Sequence, residues 1–223
     1  MKTAVVIPAH NEGQTIGPLV KAVKGLGFDC IVINDGSMDN TEAAASKEQA
    51  VVLKTPAKSG KGKALALGFD YAMGKGYEAL ITMDGDGQHS PSDIGAFVAC
   101  CRNTGADIVN GNRMNDPRGM PALRLATNHV MSWLISLICR QHIADTQCGF
   151  RLICTRVLQT IRLESSDFEI ETEVLIKASK KGFKIVSVDI QTIYNDEVSK
   201  IQPLRDTCRF IAYLWRELSR KNG

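Results

Sequence analysis

Two aspartates, Asp84 and Asp86, stand one residue apart directly after an apolar run, residues 79–83, that predicts a buried strand. Ligands of parallel α/β sheets bind at the carboxyl ends of the strands. Two carboxylates in such a cleft are unfavourable unless a cation lies between them. A divalent cation held this way completes its shell with water and phosphate oxygens. The pair therefore predicts a metal site that takes a phosphorylated ligand.

Other interpretations of the same segment are possible. Residues 84–87 suit a simple polar turn, because Asp and Gly both favour turns. A calcium loop of the EF-hand type that begins at Asp84 is excluded, since His89 stands where its tight-turn Gly belongs and Gly95 where its bidentate Glu belongs. A phosphatase with an aspartate nucleophile also has Asp-x-Asp after a strand, but it would leave the polar clusters described below unexplained.

The elements that must position these aspartates alternate regularly in the first half of the chain. This alternation predicts a mostly parallel, Rossmann-like sheet with helices on both faces. The second half is less regular, and no linker or repeat divides the chain, so we expect a single domain over residues 1–223. Strands are predicted at residues 3–8, 30–34, 50–53, 79–83, 107–110, 150–154 and 184–190, and helices at 11–24, from 40, 61–73, from 90, 121–142, 168–180 and 203–221.

Two further polar clusters follow predicted strands, at residues 8–12 and 34–39. Both should meet the aspartate pair at one edge of the sheet. Asp35 is a candidate acceptor for the N–H groups of a nucleobase, and Gly36 would allow close approach of the backbone. The alternative is that residues 37–40 only cap a helix and that Asn11 and Glu12 only begin one.

A basic, Gly-containing turn at residues 58–63 precedes the helix predicted from Lys61. It lacks the Gly-x-x-x-x-Gly-Lys-Ser/Thr spacing of a P-loop. A turn of this kind at a helix N-terminus can still contact phosphate. A solvated basic loop is an equally good interpretation.

Composition excludes several classes of protein. The 223 residues are 44% hydrophobic and 23% charged, with a net charge of +3, which is too small to indicate nucleic-acid binding. The seven cysteines are odd in number and form no Cys-x-x-Cys pair. They predict neither a disulfide framework nor a zinc site, and indicate a reduced, cytoplasmic protein. The N-terminus leads straight into a strand, so no signal peptide is expected.

Contact with a membrane surface is predicted from two segments. No uninterrupted apolar run reaches 18 residues, so we expect no spanning helix. The helix at 121–142 nevertheless carries more apolar surface than one packed face needs, including Trp133 and Leu137. The last 25 residues have six basic and two acidic side chains interleaved with aromatic ones. This pattern is typical of a helix lying on an anionic bilayer, although completing a core or a dimer interface would also explain it.

Short motifs occur along nearly the whole chain in a characteristic order. They are VVIPAHNE, VINDGSMDNT, GKGKALALGF, MDGDGQHSPSDI, GNR, DTQCGFRL, FEIETEVLIKASKKGFKIVSVDI and SKIQPLRDTCRF. Their order and spacing resemble the family 2 glycosyltransferases of the GT-A fold, especially the branch with dolichol-phosphate mannose synthase and related polyprenyl-phosphate glycosyltransferases. The resemblance extends from Thr3 to about Phe210.

This resemblance implies roles for residues in the first half, 1–115, which would form the nucleotide-sugar and metal half. Asp84 and Asp86 match the metal-binding pair, which makes Asp86 catalytic, and Gln88 matches a third ligand of Mg²⁺ or Mn²⁺. Pro8, Asn11, Glu12 and Asp35 match positions that hold the nucleoside of the sugar donor. The other residues expected to contact this donor are Gly36, Lys61, Asp84 and Gly85.

In the acceptor half, residues 116–223 together with Arg113, the resemblance implies four catalytic positions. Arg113 matches an arginine that contacts phosphate near the acceptor, and Asp145 an acidic position beside the acceptor. Arg151 closes the same motif as Asp145 and, with Arg113 and Lys200, is a candidate to hold the acceptor phosphate. Lys200, after Ser199, is expected on phosphate.

The implied function is that of an inverting, metal-dependent glycosyltransferase. It would move a sugar from GDP-mannose or a UDP-hexose to polyprenyl or dolichyl phosphate, as a cytoplasmic protein peripheral to the inner face of the membrane. Two departures from relatives matter: Asn34-Asp35 stands where many have two acids, and the spanning helices of longer relatives are absent. A hydroxyl acceptor activated by Asp145, or an inactive nucleotide-sugar binder, are the alternatives.

Overall fold

A computed structural model describes residues 1–191 and residue 193. Its strands and helices alternate through the first half, as the sequence predicts. The strands are β1 (Thr3–Ala9), β2 (Asp29–Asn34), β3 (Val51–Lys54), β4 (Ala79–Thr82), β5 (Ile108–Asn112), β6 (Arg151–Cys154) and β7 (Ile185–Asp189). The helices are α1 (Ile16–Gly25), α2 (Thr41–Lys47), α3 (Lys61–Gly74), α4 (Ile94–Thr104), α5 (Ala122–Cys139), α6 (Thr155–Thr160) and α7 (Glu169–Lys180), with a 3₁₀ turn at Pro91–Asp93.

The seven strands form one sheet in the order β3-β2-β1-β4-β6-β5-β7. β6 is antiparallel to β4 and β5, whereas the other pairs are parallel. Every residue of β4 and β6 is buried, so both faces of the sheet centre are covered. The predicted mostly parallel α/β architecture is confirmed.

The boundaries differ from the prediction in two places. α1 begins at Ile16 rather than near residue 11, because residues 11–15 form a turn in which Asn11 has a φ of 56°. α6 was not predicted, because it is only six residues long and its polar residues obscure the helical period. The basic helix predicted at residues 203–221 lies outside the described residues.

α5 has one packed and one exposed face. Its buried residues recur at helical spacing, Asn128, Ser132, Ile135 and Cys139. The opposite face exposes large apolar side chains, Leu123 (81%), Val130 (61%), Trp133 (65%) and Leu137 (56%).

Among the residues that the structure describes, α5 is also the one helix long and apolar enough to cross a membrane by length and composition. The expectation that no helix spans a membrane was based on uninterrupted apolar runs, a criterion that α5 does not meet. Arg124 and the polar residues near His129 interrupt the apolar run, but the mean hydropathy of the helix stays high enough for a membrane span.

Candidate active site

Three loops meet at the carboxyl edge of β1, β2 and β4. The Asp35 N–H donates to the Ala9 carbonyl oxygen at 2.9 Å, which joins the loops after β1 and β2. The Thr15 hydroxyl donates to the Gly85 carbonyl oxygen at 2.7 Å, which joins the loops after β1 and β4. A side chain at position 85 would lie 3.3 Å from the Pro8 carbonyl oxygen, so Gly85 permits this close approach. The clusters predicted to converge therefore lie together.

The loop after β1 is fixed by the loop after β2. The Asn11 N–H donates to the Ser37 hydroxyl at 3.0 Å, and the Asn11 side-chain oxygen accepts from the Met38 N–H at 2.9 Å. The Glu12 N–H donates to the Thr41 hydroxyl at 2.8 Å. These contacts hold Asn11 and Glu12 at the carboxyl edge of the sheet.

Asp84 and Asp86 lie in different electrostatic surroundings. Burial raises the pKa of Asp86 to about 6, and the negative charge of Asp84 acts in the same direction. Burial would also raise the pKa of Asp84, but the Lys61 ammonium group outweighs it and lowers the pKa to about 2. The Gln88 N–H donates to an Asp86 oxygen at 3.0 Å, which brings Gln88 beside the pair.

These residues fit a divalent cation. Carboxylate and amide oxygens are the hard ligands that Mg²⁺ and Mn²⁺ prefer. Burial and the Asp84 charge, which raise the pKa of Asp86, disfavour its ionised form, and a bound cation would offset both. Within residues 1–191, no group of three or more His, Cys, Asp and Glu side chains could hold a metal by itself. A cation at Asp84 and Asp86 would therefore need Gln88, water or phosphate oxygens to complete its coordination.

His89 contacts the backbone of the loop that carries Asp84 and Asp86. Its Nδ1 accepts from the Asp84 N–H at 3.3 Å, and its ring stacks on Phe150 with centroids 5.1 Å apart. Burial lowers the pKa of His89 to about 4, so its ring is neutral at pH 7. A neutral ring acting as acceptor holds the backbone without adding charge to the site.

Lys61, at the start of α3, lies between two carboxylates. Its Nζ is 2.5 Å from an Asp84 oxygen and 2.6 Å from a Glu171 oxygen. Burial would lower the pKa of Lys61, but the two carboxylates raise it above its usual value. The side chain therefore stays charged beside the metal pair. The interpretation of residues 58–63 as a merely solvated loop is wrong for Lys61, whose side chain is only 14% exposed.

Glu171 was not among the residues predicted from the sequence. It lies in the first turn of α7, about ninety positions after Asp84, and its register against α3 depends on how the two halves pack. The motif FEIETEV contains it, but nothing in the spacing separates Glu171 from Glu169 or Glu173.

Asp35 holds the segment that leads into α3. One of its oxygens accepts from the Thr55 hydroxyl, the Ser59 hydroxyl and the Ser59 N–H at 2.7–2.8 Å, and the other from the Gly60 N–H at 3.0 Å. Burial would raise the Asp35 pKa, but these donors outweigh it and lower the pKa below its usual value. Asp35 thus has a positioning role beside the base-reading role predicted for it. Gly36, with a φ of 66°, lets the backbone of residues 57–58 pack against it.

In the acceptor half, Arg113 and Asp145 form a buried two-point ion pair. Arg113 Nε donates to one Asp145 oxygen at 2.6 Å, and a terminal nitrogen donates to the other at 3.1 Å. The Asp145 side chain has no exposed surface and that of Arg113 is 7% exposed. Asp145 is therefore held as the counter-charge of Arg113.

Arg151 is the buried centre of the loop between α5 and β6. Its guanidinium group donates to the carbonyl oxygens of Cys148 (2.8 Å), Thr146 (2.8 Å) and Glu171. These contacts tie the loop after Asp145 to the first turn of α7. Lys200, the remaining predicted catalytic residue, lies outside the described residues.

Several known proteins are similar to this chain. A family model for glycosyl transferase family 2 matches residues 4–162. The UDP-N-acetylglucosamine–dolichyl-phosphate N-acetylglucosaminyltransferase of Methanococcus voltae is 28% identical over 215 residues, which cover 86% of both chains. An undecaprenyl-phosphate mannosyltransferase of Micrococcus luteus is 30% identical over 206 residues, 85% of this chain and 83% of the relative.

A solved structure extends the comparison to the fold. Glucosyl-3-phosphoglycerate synthase of Mycobacterium tuberculosis, in complex with Mn²⁺, UDP and product, superposes with a TM-score of 0.76 at 19% identity. The match covers 100% of this chain and 81% of the synthase. Together with the mostly parallel sheet and the loops at its carboxyl edge, this similarity shows that the protein has the GT-A fold of glycosyltransferases. The chain belongs to glycosyltransferase family 2.

Proposed function

We propose that the protein transfers a hexose from a nucleoside-diphosphate sugar to polyprenyl phosphate, with inversion and with Mg²⁺ or Mn²⁺. The observation that carries the proposal is the state of Asp145. Both of its oxygens accept hydrogen bonds from Arg113 in a buried position. A hydroxyl acceptor would need a base at this place, and Asp145 is engaged. An acceptor that is already ionised needs none.

The nucleotide-sugar and metal half, residues 1–115, is the donor half and would supply charge neutralisation and nucleotide binding. Asp84, Asp86 and Gln88 would hold the divalent cation, which would neutralise the negative charge developing on the diphosphate leaving group. Lys61 adds a protein-borne positive charge 2.5 Å from Asp84. Asp35 and Gly36 shape the nucleoside edge, together with Pro8, Asn11 and Glu12.

The transfer itself needs orientation rather than proton removal. A phosphate monoester has a second pKa near ~6 and is largely ionised at neutral pH. One of its oxygens would form a bond to the anomeric carbon, while the bond from that carbon to the diphosphate oxygen breaks and its electron pair leaves with the diphosphate. Lys200 is proposed to contact the acceptor phosphate, and Arg113, which stays paired with Asp145, would supply positive charge near it.

Two further observations favour a lipid acceptor. The relatives from Methanococcus and Micrococcus carry names of enzymes that use dolichyl and undecaprenyl phosphate. The exposed apolar face of α5, with Leu123, Trp133 and Leu137, is suited to the headgroup boundary of a membrane. The proposed position is peripheral, on the cytoplasmic face of a membrane.

The deciding experiment measures nucleoside diphosphate release and sugar transfer with a panel of GDP- and UDP-sugars. Each donor is tested with Mn²⁺, Mg²⁺ or EDTA, and with or without polyprenyl phosphate in detergent. We expect one donor to be consumed only when lipid and metal are both present. Transfer to water-soluble acceptors without lipid would replace the proposal by the hydroxyl-acceptor alternative. Tight donor binding without turnover would indicate a binding protein.

A further inference from the structure

The ion cluster of Lys61, Asp84 and Glu171 contains a residue with no assigned role. We propose that Glu171 is a positioning residue that keeps the Lys61 ammonium group in the donor site when a divalent cation takes over Asp84. The inference rests on the proposed function, because it concerns the same metal and donor. It assigns to α7, in the acceptor half, a part in preparing the donor half.

The distances define the competition. Lys61 Nζ lies 2.5 Å from Asp84 and 2.6 Å from Glu171, so one ammonium group serves two carboxylates. A divalent cation bound to Asp84 and an ammonium group bound to Asp84 compete for the same oxygens. With Glu171 present, Lys61 can give up Asp84 and remain paired. Without it, Asp84 is the carboxylate that remains in ion-pair contact with Lys61 among the described residues, and the metal must displace the lysine.

The backbone around the cluster keeps Glu171 at this distance. A side chain at position 149 would lie 2.7 Å from Glu171 Oε1, 3.0 Å from Asp84 Oδ2 and 3.1 Å from Lys61 Nζ. The three charged groups therefore pack against the backbone of Gly149, where a side chain would not fit. Arg151, two positions later, donates to the Glu171 carbonyl oxygen and fixes the first turn of α7.

A second set of contacts joins α7 to the start of α3. Glu173 accepts from the backbone N–H groups of Glu164 and Ser165 at 2.9 and 2.8 Å, which holds the segment before α7. That segment packs against the backbone at Gly62, where an added side chain would lie 2.5 Å from the Ser165 carbonyl oxygen. The Glu171 carboxylate and the Lys61 ammonium group are thus both carried by the packed contact between α7 and the start of α3. A positioning role requires such a fixed geometry.

The test compares Glu171→Gln with Glu169→Gln, which removes the same charge from the same turn of α7. Mn²⁺ affinity is measured by electron paramagnetic resonance in the presence of UDP or GDP, and thermal unfolding reports on the fold. We expect Glu171→Gln to weaken Mn²⁺ binding by about tenfold, and Glu169→Gln by less than about twofold. Donor KM should rise with little change in kcat at saturating metal.

A second background separates positioning from general electrostatics. In a Lys61→Met chain, Glu171→Gln should have no further effect on Mn²⁺ affinity, because the lysine it positions is gone. A drop of the same size in both backgrounds would show that Glu171 acts only through its negative charge and would overturn the inference. So would wild-type affinity in Glu171→Gln. If that variant does not fold, Glu171→Asp, which keeps the charge on a shorter side chain, is judged by the same cycle.

The failure of this inference is distinguishable from failure of the proposed function. Mn²⁺ and nucleotide binding need no acceptor, so binding coupled to Lys61 and Glu171 without transfer to lipid would reject only the acceptor. Absence of Mn²⁺ binding to the unmutated chain would reject both.

Discussion

Two of the charged clusters in the described part of the chain differ in how far they are closed to solvent. In the donor half, the side chains of Lys61, Asp84 and Glu171 are 14%, 30% and 15% exposed. In the acceptor half, Arg113 and Asp145 are 7% and 0% exposed. The first cluster has one cation shared by two carboxylates, and the second is a matched pair with two hydrogen bonds.

This difference separates charges that can change partners from charges that hold the fold. An accessible cluster with excess negative charge can accept a metal ion and a phosphorylated ligand with little rearrangement. A sealed and matched pair is costly to open, because removing one partner leaves the other charge buried without compensation. The donor cluster is therefore suited to binding, and the Arg113–Asp145 pair to shaping the acceptor half.

The largest expected effect is on activity, at the donor cluster. Replacing Asp86 by Ala removes a proposed metal ligand, and kcat/KM for transfer should fall by about a hundredfold to a thousandfold. Stability should be retained, because the negative charge of Asp84 opposes the ionised form of Asp86. The measurements are the transfer assay and thermal unfolding. Unchanged turnover would remove Asp86 from the site.

At the buried Arg113–Asp145 pair we expect a loss of stability rather than only a loss of activity. Asp145→Asn keeps the shape of the side chain but leaves the Arg113 charge buried, and should lower the free energy of unfolding by about 3–5 kcal/mol. Denaturant titration measures this loss.

A matched control is available at the surface. Arg118 and Asp116 form an exposed ion pair of similar geometry, with side chains 89% and 52% exposed. Asp116→Asn should leave the denaturation midpoint nearly unchanged, because solvent screens an exposed ion pair. Equal losses for Asp145→Asn and Asp116→Asn would show that burial does not distinguish the two regions.

The same contrast explains what the sequence could predict. The donor half is built from strands and helices that follow one another in the chain, so the residues after β1, β2 and β4 could be assigned to one edge by topology alone. The pairing of Arg113 with Asp145 depends on the antiparallel insertion of β6 between β4 and β5. Local periodicity does not encode strand order, so sequence reasoning placed both residues near the acceptor without joining them.

Glu171 was missed, and the backbone contacts of Arg151 were not predicted, for a related reason. Both act across the junction between α7 and the rest of the fold, where hydrogen bonds to backbone carbonyl oxygens decide the role. An arginine in a motif predicts phosphate contact by its charge. Its three bonds to Cys148, Thr146 and Glu171 follow only from tertiary packing.

The smallest expected effect concerns Asp35, which belongs to the donor half but has a positioning role of the kind found in the acceptor half. Asp35→Asn replaces one accepting oxygen by a donor that faces the Ser59 or Gly60 N–H group. The free energy of unfolding at pH 7 should fall by about 1–2 kcal/mol. The control is Asp70→Asn, at an exposed position of α3.

The pH dependence of this loss tests its cause. The folded-state pKa of Asp35 lies below the ordinary value of 3.8, so its contribution to stability is present above that value. It should disappear as the pH falls through the folded-state pKa, and the difference between wild type and Asp35→Asn should shrink accordingly. Denaturant titrations at pH 7 and at decreasing pH values measure it. A difference that stays constant with pH would mean that Asp35 stabilises α3 through shape rather than charge, and the distinction between its two roles would then rest on donor binding alone.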